Sequence, residues 1–160
     1  MLDFDLMLRI YPFFLQAAWV TVQLSILTTL LGLTCGALGA AARLSRHWYL
    51  RSIGATYVSI FRGTPALIQL FLLYFGGPQV GIQLDAFEAG VIGLGVNIGA
   101  YMTETMRGAI IAIDKGQTEA AAALGLRPNR IMNLVILPQA LRVIIPPLIS
   151  NYLNLTKNSS

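Results

Sequence analysis

Three long apolar runs, Phe13 to Ala42, about Ile53 to Phe75 and about Phe87 to Ile111, constrain the fold of this chain more than any other feature. A helix needs about 20 apolar residues to cross the roughly 30 Å hydrocarbon layer of a bilayer, and each run is long enough. A fourth segment begins near Val143 and is still running at Ser160. In hydrocarbon the backbone has no water to bond to, so such runs form helices, and the expected fold is an all-α, polytopic membrane helix bundle. The connecting loops carry the orientation. Arg43, Arg46, His47 and Arg51 fill the first loop, and Arg107, Lys115, Arg127, Arg130 and Arg142 are spread through the stretch after the third run. Between them, the loop from Gly76 to Phe87 has Asp85 and no Lys or Arg. Basic loops stay in the cytoplasm, so the N-terminus and the acidic loop are expected outside, and the three spans alternate without conflict.

Composition agrees with this setting. Hydrophobic residues make up 56% of the 160 and charged residues only 11%, outside the usual range of a soluble domain. The net charge of +4 comes from sparse basic residues in short loops, where topology accounts for them better than nucleic acid does. The first run is too long for a signal-peptide core and is preceded by Asp3, Asp5 and Arg9 rather than by a basic leader, so it is expected to be retained. The lone Cys35 lies mid-span among Leu33, Thr34 and Gly36 and is expected to pack against a neighbouring helix. Gly32, Gly36, Gly39 and Ala40 give the first span a small-residue face, and Gly90, Gly93, Gly95 and Gly99 give the third another. With no repeat and no soluble linker, residues 1–160 form one transmembrane domain. No phosphate-binding Gly-x-x-x-x-Gly-Lys-Ser/Thr string occurs, and one His, one Cys and scattered carboxylates leave little material for a metal site or a nucleophile–base pair. Neither enzyme activity nor a cofactor is expected.

A charged helical hairpin at 114–138 interrupts the apolar pattern on the cytoplasmic side. Asp114 is placed to cap a helix, with Gln117 three residues on in capping-box position, and Glu119 to Leu124 are strong helix formers. Gly125 supplies the stop, and Pro128 fits the first turn of a second helix that should run through Asn129 to Leu137 before Pro138 breaks or kinks it. The Ala-rich ridge so displayed suits the groove of a partner, with Glu119 and Arg127 fixing its register; an ordinary surface hairpin is the alternative.

The order Glu119-Ala120-Ala121, Gly125, Leu137-Pro138 resembles the EAA loop of ATP-binding cassette importer permeases. Phe61-Arg62-Gly63-Thr64-Pro65, Gln69-Leu70-Phe71, Tyr74-Phe75-Gly76, Gly99-Ala100-Tyr101, Glu104, Arg107-Gly108-Ala109-Ile110 and Ile136 to Arg142 follow in the pattern of the polar amino acid subfamily, from about Thr21 to Ser160. Val135 stands where the loop usually has Ile, and Asp114 where the subfamily often has Pro. The resemblance implies that Glu119, Ala120, Ala121, Gly125 and Leu126 dock into a cytoplasmic ATPase subunit. It also implies a second permease subunit, identical or not, an extracytoplasmic substrate-binding protein, an amino acid substrate and a place in the bacterial inner membrane. Such permeases have five spans, so the chain is expected to cover about four of them. A self-sufficient ion-coupled carrier or channel, and a non-transporting scaffold, are the alternatives.

Polar groups inside the bilayer are costly and so need a reason, at about 2.5 to 3.5 kcal/mol for a charge at its centre. Asn97, Glu104 and Arg107 fall on about one face of the third span. Asn97 and Glu104 are expected to line the solute path, with Glu104 meeting an ammonium group; the alternative is a structural ion pair of Glu104 with Arg107 or Arg62. Asn151, Asn154 and Asn158 form a second stripe whose amides suit a zwitterion, unless they bond helix to helix. The subfamily often has an acidic residue at the position of Asn158, so Asn there leaves neutral or acidic substrates open. Arg62, Gly63, Thr64 and Pro65 are expected to form a hinge or kink, because Pro65 removes a backbone donor mid-span; a packing kink with Arg62 snorkelling is the alternative. Trp19 at one interface, and Trp48 and Tyr49 at the other, are expected as anchors.

Overall fold

The computed structural model describes the backbone of residues 4–159 and the side chains of residues 10–147, 149 and 150. Helix α1, Phe4–Leu44, has 41 residues and outruns the apolar segment that seeds it. At 1.5 Å per residue it is about 60 Å long, twice the hydrocarbon thickness. Among the described residues it is the one helix that is by itself long and apolar enough to cross a membrane.

The second run is not one rod. Helix α2, Trp48–Gly63, stops at Thr64, which adopts the extended conformation (φ −117°, ψ 142°) that a following proline enforces. Helix α3, Ala66–Phe71, then leaves at a new angle; α2 and the stretch Ala66–Val80 that α3 opens are bent by 101° and would cross only as a broken span. A π-turn, Leu72–Gly76, and a 3₁₀ turn, Gly77–Val80, complete this stretch. Helix α4, Ala86–Ile111, opens on a capping box in which Asp85 accepts from the Glu88 backbone N–H and Glu88 accepts from that of Asp85. Its glycines and Asn97 lower its hydropathy, and its small-residue face packs along α1.

That packing is mutual. A Cβ built on Gly36 of α1 would lie 2.7 Å from the Met102 Cβ, and one on Gly99 of α4 would lie 2.6 Å from the Cys35 Cβ, so the two backbones approach as closely as glycine allows. Leu24 meets Gly90, Leu31 meets Gly95 and Gly39 meets Thr103, so contacts advance together along both helices and α1 and α4 run parallel. Along α2 and α3 they advance in the opposite sense: Tyr57 reaches Gly99, while Leu70 reaches Gly93. The basic first loop and the hairpin therefore share one end of the bundle, and the Asp85 loop occupies the other. Phe13, Phe14, Trp19, Leu30 and Leu38 leave the other side of α1 exposed, an apolar surface expected of a helix in lipid or against another subunit.

The hairpin comprises α5, Lys115–Ala123, and a short α6, Pro128–Ile131. Asp114 caps α5 as expected but accepts from the Gly116 N–H, and Gln117 does not close a capping box; its Oε1 accepts instead from Gln139 Nε2 at 3.3 Å. The second helix does not run straight to Leu137. A π-turn, Met132–Ile136, follows α6, and α7, Leu137–Ser159, starts one residue before Pro138, earlier than the Val143 expected. In both π-turns among the described residues, 72–76 and 132–136, a proline follows two residues later, Pro78 and Pro138. A proline ring clashes with the carbonyl four residues back in an α-helix, and the wider π-turn moves that carbonyl aside. Pro146 and Pro147 lie inside α7.

Candidate transport site and coupling hairpin

Loss of one hydrogen bond organises the first cluster. Pro65 has no N–H to give to the Phe61 carbonyl, which an unbroken helix would have satisfied. Two side-chain amides replace it: Asn97 Nδ2 donates at 2.8 Å and Gln69 Nε2 at 3.1 Å. The same Gln69 nitrogen donates to the Thr64 carbonyl and to Thr64 Oγ1, while that hydroxyl donates to the Ile60 carbonyl at 2.8 Å. Asn97 Nδ2 also donates to Gln69 Oε1 at 3.1 Å, which ties α4 to the break. Asn97 and Gln69 are both buried, and the Arg62–Pro65 bend is thus held at fixed points. Arg62 itself lies 5.0 Å above the Tyr101 ring, not against Glu104.

Glu104, two helical turns further along α4, has both carboxylate oxygens engaged. Arg43 Nε, from the last turn of α1, donates to Oε1 at 3.0 Å. Arg107 donates to Oε2 from both Nε (2.9 Å) and Nη2 (2.7 Å). The Glu104 side chain is 18% exposed and those of Arg43 and Arg107 27% and 30%, so this is a half-dry clasp of net charge +1 joining α1 to α4. Asn97 and Glu104 belong to different clusters, one at the break and one at the clasp. The side chains of Asn151, Asn154 and Asn158 lie outside the described residues. Among the described residues no group of His, Cys, Asp or Glu could hold a metal ion.

The hairpin has an anchored side and a free side. Gly125, at φ +76°, lets the chain reverse: its N–H reaches the Ala122 carbonyl at 2.9 Å, and the Leu126 N–H reaches the Ala121 carbonyl at 3.2 Å. That pair of bonds closes the helix end without a side-chain cap. Ala121 is buried with Ile131 and Ile136, and Leu126, Val135, Ile110 and Ile113 pack around them. Ile110 and Ile113 also border the cluster of Ala109, Ala140 and Ile144 that joins α4 to α7. Glu119, Ala120 and Leu124 face solvent, Leu124 with 82% of its surface exposed.

Residues 29–160 match the family described as the binding-protein-dependent transport system inner membrane component. The chain is 40% identical to a putative glutamine transport system permease protein of Rickettsia felis, the alignment covering 98% of this chain and 74% of the relative. The chain belongs to this family of transporter permeases. It is 39% identical to an arginine transport system permease protein of Bacillus subtilis, over 99% of its own length and 73% of the relative's. A solved amino acid ABC transporter with histidines superposes with a TM-score of 0.90 at 36% identity, covering 99% of this permease and 74% of that chain. A methionine ABC transporter in an inward-facing conformation, 23% identical with a TM-score of 0.74 over 93% of this permease and 72% of that chain, shares the fold. The protein is accordingly the inner-membrane permease subunit of an ATP-driven importer, and ATP hydrolysis falls to a separate subunit.

Three residues that sequence reasoning did not single out as site residues enter here. Arg43 reads as one of several loop cations, yet it is the one that closes on Glu104. Gln69 is a lone amide inside an apolar run, and Leu124 is an apolar residue beside a helix-ending glycine. Those are the signals by which each could be found.

Proposed function

We propose that this permease passes polar amino acids received from an extracytoplasmic binding protein, and that a cytoplasmic ATP-binding cassette subunit grips α5. The names of the relatives, which include glutamine, arginine and L-cystine transport system permeases, support the substrate class. The observation that carries the coupling role is the two-sided hairpin. Glu119, Ala120 and Leu124 are offered to a partner, while Ala121 and Leu126 fasten the ridge to Ile110 and Ile113 at the end of α4. A push on α5 therefore moves α4 and α7 together. In this reading the N-terminus is outside, a second permease subunit covers part of the exposed apolar face, and Gly125 sets the angle at which the ridge is presented.

Asn97 and Glu104 then act at the edge of the solute path as clasps that open. Both Glu104 oxygens are held by guanidinium groups, so an ammonium group reaches the carboxylate by displacing Arg43 or Arg107. The asparagine stripe of α7, Asn151, Asn154 and Asn158, supplies neutral contacts by its spacing. The deciding experiment is purification of the tagged, full-length permease from its native membrane, with ATPase activity and amino acid uptake measured after reconstitution. Recovery of an ATPase subunit with the wild type, and its loss when Glu119 and Gly125 are replaced, supports the reading. Uptake that persists without any ATPase and follows an ion gradient overturns it.

A further inference from the structure

At the end of the bundle that carries the basic loops, Arg46 of the first loop and Arg127 and Arg130 of the hairpin line one cleft of about 790 Å³ with Leu44, Pro128, Asn129 and Met132. Three like charges around one space repel each other unless an anion joins them. None is supplied from within: every ion pair among the described residues is made by Glu104, with Arg43 and Arg107. The arginines are therefore not spent on the fold. Depth gives the second constraint. Arg46 lies two residues before Trp48, and Trp48 and Tyr49 are 72% and 48% exposed, as aromatic residues at headgroup level are. The third is the mixed lining, since Leu44, Pro128 and Met132 put apolar surface beside the guanidinium groups.

We infer that this cleft binds the headgroup of an anionic phospholipid of the cytoplasmic leaflet, the phosphate among Arg46, Arg127 and Arg130 and the start of an acyl chain along Leu44, Pro128 and Met132. A free phosphate ion would use the arginines and leave the apolar wall without a function. Arg127, expected from the sequence to help fix the register of a docked partner, lines this cleft instead, while Glu119 and Leu124, the free side of the hairpin, are not part of its lining. The bound lipid ties the α1–α2 loop to the hairpin, so the site joins the coupling element to the membrane surface. Clusters of arginine at this level attract anionic lipid, with a contribution per residue that corresponds to about fivefold in retention.

The test uses the full-length permease in its purified complex, stripped of lipid in detergent and titrated with phosphatidylglycerol, phosphatidylcholine or inorganic phosphate under native mass spectrometry. Phosphatidylglycerol is expected to stay bound at collision energies that remove phosphatidylcholine, with one such adduct per permease lost in the Arg46→Gln/Arg127→Gln/Arg130→Gln variant. The Arg→Lys triple variant keeps the charge and should retain the adduct, which separates loss of the site from misfolding. Equal retention of both lipids, or an unchanged adduct in the Gln variant, overturns the inference. Competition by inorganic phosphate as strong as by phosphatidylglycerol makes it a free-anion site, and dissociation of the ATPase from the Gln variant makes it a protein contact. Either result also overturns it.

Discussion

Asn97 of α4 and Gln69 of α3 both donate to the Phe61 carbonyl that Pro65 leaves without a partner, and they bond to each other at 3.1 Å. The bend in the second span is therefore held by side chains from two helices rather than left as a loose joint. Replacing Asn97 by Leu removes one donor while keeping a side chain of similar size, and the same holds for Gln69→Leu. Each is expected to cost about 1–2 kcal/mol, the lower part of the cost of leaving a buried polar group under-satisfied, because the half-buried Phe61 carbonyl keeps one donor. Because they serve the same carbonyl and also bond to each other, the double variant should depart clearly from the sum of the singles. Unfolding of the purified full-length protein in detergent would measure this; strict additivity would mean the two amides act independently.

How much of this was legible in the sequence depends on whether the cause was local. The break at Pro65 was legible because it follows from the missing N–H at one residue, and Gly125 was legible because a helix stop needs a residue tolerant of positive φ. The small-residue faces of α1 and α4 were visible as lists of glycines, but their mutual register was not. What closes on Gly99 is Cys35, 64 positions earlier in the chain. The second partner of Glu104, across the helix interface, was equally out of reach, although Arg107 on the same helix was foreseen and does bind it. Helical spacing offered Arg107, and it gave no way to choose Arg43 over Arg62, because that choice depends on how α1 lies against α4. The two π-turns escaped notice for a different reason: each proline's need for a wider turn is local, but its solution is spread over the residues before it.

Gly99→Ala tests the close approach. The new methyl would fall 2.6 Å from the Cys35 Cβ and 2.7 Å from Tyr57 Oη, and the tyrosine cannot swing away without giving up its 2.6 Å bond to the Val96 carbonyl. Overpacking of this kind costs about 1–3 kcal/mol. Cys35→Gly added to Gly99→Ala should restore part of the stability, since it clears one of the two obstacles. Thermal unfolding of both variants checks the order, and no recovery in the double variant would assign the clash to Tyr57 alone.

Glu104→Gln is expected to be worse than the double variant Arg43→Gln/Glu104→Gln. The single change leaves two guanidinium groups facing each other across a half-dry space, and the double change leaves one. If Glu104 also meets the solute, Glu104→Gln should reduce uptake of cationic amino acids more than that of acidic ones. Uptake of lysine and aspartate by the reconstituted full complex separates the two roles. An equal loss for both solutes, with the double variant recovering both, would make the cluster purely structural.

Leu124 is the sharpest test of the hairpin. It is 82% exposed, touches no part of either apolar cluster at its end of the bundle, and stands one turn beyond Ala120 and five residues beyond Glu119. Removing an exposed side chain cannot open a cavity, so Leu124→Ala should leave the unfolding temperature of the isolated permease unchanged. If the ridge docks into an ATPase groove, the same change removes an anchor, and a central interface residue is worth more than about 1 kcal/mol, which weakens association by about fivefold or more. Gly125→Ala should behave differently: a side chain at φ +76° costs about 1–2 kcal/mol, so here the permease itself loses stability before any partner is considered. Measuring both quantities for both variants, permease unfolding and ATPase retention on the purified complex, distinguishes a docking ridge from a surface hairpin. A Leu124→Ala permease that keeps its ATPase and transports at the wild-type rate would leave the exposed leucine without a docking role.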